Sequence, residues 1–310
     1  MKSAIKRLLI VPNALFIVLL LIQLLPSQET RIPDQPIYTV IFTLILELIL
    51  LIGSFTYKQD QSRQVFTDII GFLYCVLIIW VLTAAKMNLV GGIKGAIYPP
   101  PGAVFMQFII DFKIMLVNVR DSLTLVLQGY LIGIAIAIPL GLFLGWNFRI
   151  GATASYIAKF LSSISPIVYI PYAIVLLPTF RAASVFVIIV ATFWPTLAST
   201  MSGVLNMEKK IVDSARALGL SNLTMLFRVI LPGSLPQIFI GCNQGLSVSF
   251  ILLLSAEMIG ARSGMGYYVN NYANFGNFTA ALAGVIVIGI VVTAITFLFN
   301  QIQSFLLKWK

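Results

Sequence analysis

The chain has 310 residues, of which 59% are hydrophobic and 10% charged, with a formal net charge of +10. A water-soluble domain carries about 25% charged residues, so this chain cannot cover its surface with polar groups and lipid must be its solvent. The basic residues flank apolar runs instead of forming one patch, which fits membrane topology and excludes a nucleic-acid partner.

A helix needs about 20 mainly apolar residues to cross a bilayer, and about eight runs qualify. The first, residues 8–25, follows Lys2, Lys6 and Arg7. It lacks an A-x-A-like site and reads as an uncleaved first helix, not a signal peptide. The second, 37–57, contains Glu47. A carboxyl group at membrane depth is costly and should bond a neighbouring helix, an ion or substrate contact being the alternative. A short basic loop, 58–63, leads to the third run, 68–85. The connection 86–121 is interrupted by Pro99-Pro100-Pro101, which forbids one continuous helix. Its part 103–119, with Asp111 and Lys113, is expected to lie along the outer surface as an amphipathic helix.

The fourth run, 122–146, carries Gly129, Gly133, Gly141 and Gly145, small residues that let membrane helices pack closely. After a turn at Arg149 comes the fifth, 156–177, interrupted by Pro166 and Pro171 beside Ser162, Ser163 and Ser165. Prolines free carbonyls that protein or water must satisfy. The serines suit a polar path, or else bond their own helix backbone. An outer turn at 178–181 precedes the sixth run, 183–205. The seventh, 231–259, holds Gln244, Ser247, Ser249, Ser255 and Glu257. An outer loop, 260–277, contains Gly264-Met265-Gly266-Tyr267, and the last run is 280–305.

Between the sixth and seventh runs the charge gathers: Glu208, Lys209, Lys210, Asp213, Arg216 and Arg228. The chain must leave the membrane here and return. Asn206 is expected to cap a helix that begins at Met207, with Glu208 in its first turn. Ser214, Ala215 and Ala217 are small enough for another protein to approach the backbone. Gly219 suits the left-handed position that ends a helix, and Ser221 can cap the next one, which meets Pro232. With both termini on the cytoplasmic side, this loop is cytoplasmic and most Lys and Arg lie inside.

The chain contains no histidine, the commonest general base and metal ligand. Cys75 and Cys242 lie in apolar runs and read as small buried hydrophobes, not a disulfide or a zinc site. Gly91-Gly92-Ile93-Lys94-Gly95 lacks the spacing of a P-loop. No catalytic cluster stands at membrane depth, so the chain is not expected to be an enzyme.

The spacing Asp213-Ser214-Ala215, then Gly219, then Val229-Ile230-Leu231-Pro232 resembles the EAA loop of ABC-importer permeases, with Asp-Ser-Ala where that family prefers Glu-Ala-Ala. Further pieces match in order from about Tyr98: Ser122-Leu123, Gly129-Tyr130, Pro139-Leu140-Gly141, Pro166, Pro171, Pro195, Thr200, Gly203, Leu235-Pro236, Ile238, Gly241, Glu257 and the 264–267 turn. The whole is similar to the nitrate/sulfonate/taurine/bicarbonate branch of binding-protein-dependent importers. Leu125 departs from it, replacing a usual arginine, as does Leu176-Leu177-Pro178-Thr179-Phe180, where a Trp-Phe-Gly-Ile-Gly type turn is usual.

The resemblance implies an all-α integral membrane protein with a six-helix type I permease core and two extra N-terminal helices. Residues 1–66 would hold the extra helices, 67–121 the third helix and outer connection, and 122–310 the core, with the coupling loop at 207–232. It implies a multi-pass permease of the bacterial cytoplasmic (inner) membrane that moves a small solute, an anion such as nitrate, a sulfonate or bicarbonate, by alternating access. The partners implied are ABC ATPase subunits, a solute-binding protein and a second permease subunit. No cofactor belongs to this chain; ATP and Mg²⁺ bind the partner ATPase. Coupling falls to Glu208, Asp213, Ser214, Ala215, Leu218, Gly219, Leu231 and Pro232, and the path to Ser162, Ser165, Gln244, Ser247 and Glu257. Two rival readings are an ion-coupled secondary transporter using Glu47 and Glu257, and a membrane assembly subunit that transports nothing.

Overall fold

The protein is built of helices. The computed structural model describes residues 2–25, 34–56, 60–86 and 97–308, and among the described residues there is no β-strand. In chain order the helices are α1 (Lys2–Gln23), α2 (Pro36–Thr56), α3 (Asp60–Val81), α4 (Pro101–Ile110), α5 (Phe112–Trp146), α6 (Phe148–Ser163), α7 (Tyr169–Leu176), α8 (Phe180–Leu205), α9 (Lys209–Ala217), α10 (Asn222–Met225), α11 (Leu231–Gly260), α12 (Met265–Asn274) and α13 (Phe278–Leu306). Six helical stretches among the described residues are long and apolar enough to cross a membrane: Pro36–Gly53, Ser62–Ala84, Phe112–Trp146, Phe180–Leu205, Asn222–Gly260 and Phe278–Leu306. The pair α6–α7, bent by 66° at the 3₁₀ turn Pro166–Val168, supplies a seventh if it counts as one crossing. The eighth expected span corresponds to α1. The glycine-rich segment 91–95 and Lys58 lie outside the described residues.

The chain divides into two compact units. The first comprises Met1–Ile114 with Asn271–Val285. Its core joins α1, α2 and α3 through Leu19, Leu46, Leu50, Ile70, Tyr74, Leu77 and Val81. Glu47 receives the Tyr74 hydroxyl at 2.9 Å, the interhelical bond that a carboxyl group at membrane depth requires. Cys75 is not buried as expected; it shares an exposed apolar face of α3 with Phe72 and Ile79. Trp80 Nε1 donates to the Pro99 carbonyl at 2.9 Å, and Phe105 stacks on Phe42 with ring centroids 4.3 Å apart.

The proline run starts a helix instead of only forbidding one. Pro100 is extended and Pro101 takes the first helical position, where its missing N–H is no loss. The stretch 103–119 is not a single surface helix. Ala103 and Val104 are buried, α4 stops at buried Asp111, and α5 begins at Phe112. The span expected at 122–146 is therefore ten residues longer at its start. A 35-residue helix is about 52 Å long and overreaches a hydrocarbon core of about 30 Å. Its first turns can thus carry Lys113, Arg120 and Asp121 outside the apolar layer. Asp111 accepts from Gln107 Nε2 at 2.9 Å. Burial and that carboxyl group together push the Tyr272 phenol above its ordinary pKa.

The second unit comprises Met115–Asn270 with Ile286–Lys310. Here α5 and α8 meet on a ladder of small residues. Gly129 lies against Ile188, Gly133 against Thr192, Gly141 against Thr200 and Gly145 against Val204. Both partners advance in steps of four or eight in the same direction, so the two helices run parallel. A Cβ at Gly141 would stand 2.7 Å from Thr200 Cβ, which only glycine avoids. Because α5 and α8 run the same way, α6 and α7 must bring the chain back between them. The bent pair is then one crossing. Helix α11 packs antiparallel on α8, with Gly203 against Ser234, Gly241 against Ser199 and Gly245 against Thr192. Ser249 donates to Gly245 O at 2.7 Å and lies 2.8 Å from Thr192 Oγ1, while the Tyr130 hydroxyl donates to Cys242 O at 2.9 Å.

Candidate functional site

The charged loop closes one end of the second unit. Asn206 does not start its helix. It ends α8, with φ −91° and ψ 8°, and its Nδ2 donates to Ser202 Oγ at 3.1 Å. Helix α9 begins at Lys209, with Glu208 extended at the N-cap and making no capping bond through its side chain. Helix α8 runs on to Leu205, so Asn206 is taken up by its C-terminus and the next start shifts two residues along. At the other end Leu218 is the C-cap and Gly219 has φ +69°. Gly219 N–H bonds Arg216 O at 2.9 Å and Leu220 N–H bonds Ala215 O at 3.5 Å. This is a Schellman turn, which satisfies carbonyls the helix end leaves open. Nothing lies within 4 Å of a Cβ built on Gly219, so glycine is required by the backbone conformation and not by space. Ser221 Oγ accepts from Thr224 N–H at 3.4 Å and caps α10. A π turn, Leu226–Ile230, then leads into α11 ahead of Pro232, where Ser234 Oγ donates to Ile230 O at 2.8 Å.

The loop has two faces. Ala215 points inward, buried with Leu142, Val204, Met225 and Ile230, and Leu231 packs on the same cluster. Its small size serves packing within the chain, not the approach of a partner. Outward stand Glu208, Asp213, Ser214 and Ala217, together with Ile211, Leu218, Leu223 and Phe227. Leu218 is 78% exposed and Leu223 69%, although both belong to a charged loop. Exposed apolar side chains beside charged ones suit a contact surface. Trp146, Val204, Asp213 and Arg216 line a cavity of about 260 Å³ at this end of the unit.

A second polar region follows the break between α6 and α7. Ser162 and Ser163 are exposed and donate to Ala158 O and Lys159 O. Ser165 is exposed and makes no side-chain cap bond. The 3₁₀ turn rests against α11. On α11, Gln244 and Ser247 are exposed on one helical face with Ile240, Ile251 and Met258, and Ser255 is half-buried beside them. Ser247 donates to Asn243 O at 3.1 Å and Ser255 to Ile251 O at 2.8 Å. The break and this face supply exposed polar groups within long apolar helices.

Glu257 does not share that face. It is 1% exposed and sits in a knot that joins α5, α11 and the start of α12. Ser122 Oγ donates to its Oε1 at 2.6 Å and Gly266 N–H to its Oε2 at 2.7 Å. Met265 N–H donates to Ser122 Oγ at 2.8 Å, and Gly264 N–H to Asn118 Oδ1 at 2.7 Å. Gly264 has φ +122°, and any side chain there would collide with the Glu257 carboxyl group. The loop expected at 260–277 is therefore a short turn that ends on buried Gly264, followed by α12. The periodicity of the fifth helix gave no hint of Asn118 as a partner; only the tertiary fold brings it to the turn.

Residues 137–309 match the family described as binding-protein-dependent transport system inner membrane component. A probable ABC transporter permease protein of Brucella abortus is 31% identical over 193 residues, spanning 62% of this chain and 77% of that one. The taurine transport system permease protein TauC of Escherichia coli is 28% identical over 261 residues, 82% of this chain and 93% of that one. The bicarbonate transport system permease protein CmpB of Synechococcus elongatus is 30% identical over 189 residues, 61% and 66%. Among solved structures, an inward-facing MetNI methionine ABC transporter chain superposes with a TM-score of 0.55 at 21% identity, over 63% of this chain and 97% of that one.

Proposed function

The chain belongs to the family of binding-protein-dependent transport system inner membrane components and is the membrane permease subunit of an ABC importer; from this premise we propose that its cargo is a small oxyanion, a sulfonate, bicarbonate or nitrate. TauC and CmpB are named for taurine and bicarbonate. Two ATPase subunits bind ATP and Mg²⁺ and grip α9. A solute-binding protein delivers cargo at the opposite end of the second unit. A second permease subunit completes the path. Both termini and α9 lie on the cytoplasmic side of a bacterial inner membrane.

The observation that carries the coupling role is the outward apolar group Ile211, Leu218, Leu223 and Phe227 on a charged loop. Glu208, Asp213 and Ser214 border it, Gly219 sets the turn, and Ala215 and Leu231 anchor the element from within, ahead of Pro232. Closing of the ATPases shifts this element. A shift does work only if the ATPase binds the two permease conformations with different affinity. Ser162, Ser165, Gln244 and Ser247 offer hydroxyls and an amide to a solute at membrane depth. Glu257 holds the turn after α11 instead of meeting cargo. An ion-coupled carrier is less well supported, because Glu47 is bonded to Tyr74 and Glu257 is enclosed.

The test is uptake by proteoliposomes that contain the permease, its ATPase and its binding protein. ATP-dependent accumulation of taurine, nitrate or bicarbonate is expected. Accumulation driven by an ion gradient without the ATPase, or transport of neutral solutes only, would overturn the reading.

A further inference from the structure

At the end of the second unit away from α9, α5, the start of α8 and the end of α11 form an open cavity of about 580 Å³. Arg120, Asp121 and Thr124 come from α5, Phe180 and Arg181 from the start of α8, and Arg262 and Ser263 from the chain just after α11. Three guanidinium groups thus line one cavity with a single carboxylate. Among the described residues none of the three is ion-paired; Arg181 makes only a long contact of 3.5 Å to Gln128 Oε1. Each comes from a different element, so local sequence does not explain the grouping. The fold gathers them.

Unpaired arginines repel one another, and a surface that brings three together with Asp121 as the one carboxylate lining the cavity gains by holding an anion. The planar fork of guanidinium matches the oxygens of carboxylate, sulfonate, nitrate or bicarbonate in two-point contacts. Leu125 and Phe180 give the same cavity apolar walls, which lower the local dielectric and strengthen the attraction. Ser263 adds a hydroxyl. Thr124 Oγ1 already donates to Arg120 O at 2.7 Å, so it presents its oxygen and not its proton. The cavity is far larger than one such anion, which suits capture and passage more than tight retention.

We infer that the Arg120–Arg181–Arg262 cavity is a capture site for the small oxyanion cargo, filled as the binding protein releases it and before it enters the path. The inference rests on the oxyanion reading above. Its role is to keep released cargo from escaping outward while the ATPases turn over. Loss of an arginine therefore lowers the cargo moved per ATP, not the rate of ATP hydrolysis.

The experiment uses the full importer in proteoliposomes with Arg120→Gln, Arg181→Gln and Arg262→Gln, and with the three Lys replacements. Taurine or nitrate uptake and ATP hydrolysis are measured together. The expected result is a fall of about two- to fivefold in cargo per ATP for each Gln variant, the scale of one exposed ion pair. ATP hydrolysis stimulated by the loaded binding protein stays unchanged, and the Lys variants fall between. Unaltered cargo per ATP would overturn the inference. So would loss of stimulated hydrolysis in step with uptake, since the arginines would then dock acidic side chains of the binding protein. A second measurement needs no variant. Taurine or nitrate, added to the wild-type importer without binding protein, should protect Arg120, Arg181 and Arg262 from phenylglyoxal but not Arg149, at the other end; equal modification of all four would contradict capture. A wild-type importer that carries no anion would defeat the cargo assignment itself, whereas an anion importer indifferent to these arginines would defeat only the capture site.

Discussion

Glu257 and Gly219 represent two kinds of residue. Gly219 is local: its φ of +69° and the two bonds of its turn depend on residues 215–220 alone. Ser221 is similar, since its cap reaches only to Thr224. Both were legible in sequence for that reason. Glu257 is not local. Its oxygens are met by Ser122, distant in sequence, and by Gly266, so it could be read as a path residue until the fold showed it enclosed. The knot yields a prediction. Glu257→Ala leaves the Ser122 hydroxyl and the Gly266 N–H buried without an acceptor, a loss of about 1–3 kcal/mol for each group. Glu257→Gln retains one acceptor and should lose roughly half as much. Thermal unfolding of the detergent-solubilised protein should place wild type above Gln above Ala. Equal melting of all three would show that the knot does not stabilise the turn.

At the scale of elements, close approach and length decide the outcome. The glycines of α5 announced a packed face in sequence but not its partner. The structure supplies α8, in parallel, with Thr192, Thr200 and Val204 over Gly133, Gly141 and Gly145. Helix bounds were less legible. The start of α5 at Phe112 is set by α4 ending at buried Asp111, a tertiary event that hydropathy does not register. Asn206 ends α8 instead of starting α9, because a good N-cap residue also serves at the end of the preceding helix. Gly141→Val should force α5 and α8 apart, since its Cβ would stand 2.7 Å from Thr200 Cβ. Overpacking of this sort costs about 1–3 kcal/mol. The expected outcome is a lower melting temperature and weaker retention of the ATPase. The exposed Leu140→Val on the same helix should leave both unchanged; equal effects from the two would argue against the ladder.

The second unit has two polar ends on one set of helices: α8 begins and α11 ends at the arginine cavity, which Arg120 to Leu125 of α5 also line, and α5 and α8 end and α11 begins at the α9 end. The broken span and the exposed polar face of α11 lie between. Such an arrangement lets a push on one end bias what the other end admits, through packed helices that have two stable arrangements. The first unit adds α1 to α4, with Glu47 closed on Tyr74 and Asp68 exposed near the start of α3. What sequence conveyed at this scale was the class, a helical permease with a charged internal loop. It did not convey which face of that loop is free.

That face bears the central claim: a separate ATPase grips α9 from outside. The most direct measurement is retention of the ATPase by the affinity-purified permease in nanodiscs, for wild type, Leu218→Asp and Gly219→Val. Leu218→Asp places a charge on an exposed apolar position of the proposed docking face, and Gly219→Val strains the turn by about 1–2 kcal/mol. Both variants should reach the membrane at wild-type levels and lose most of the bound ATPase. Retention of the ATPase at wild-type stoichiometry by both would contradict the account.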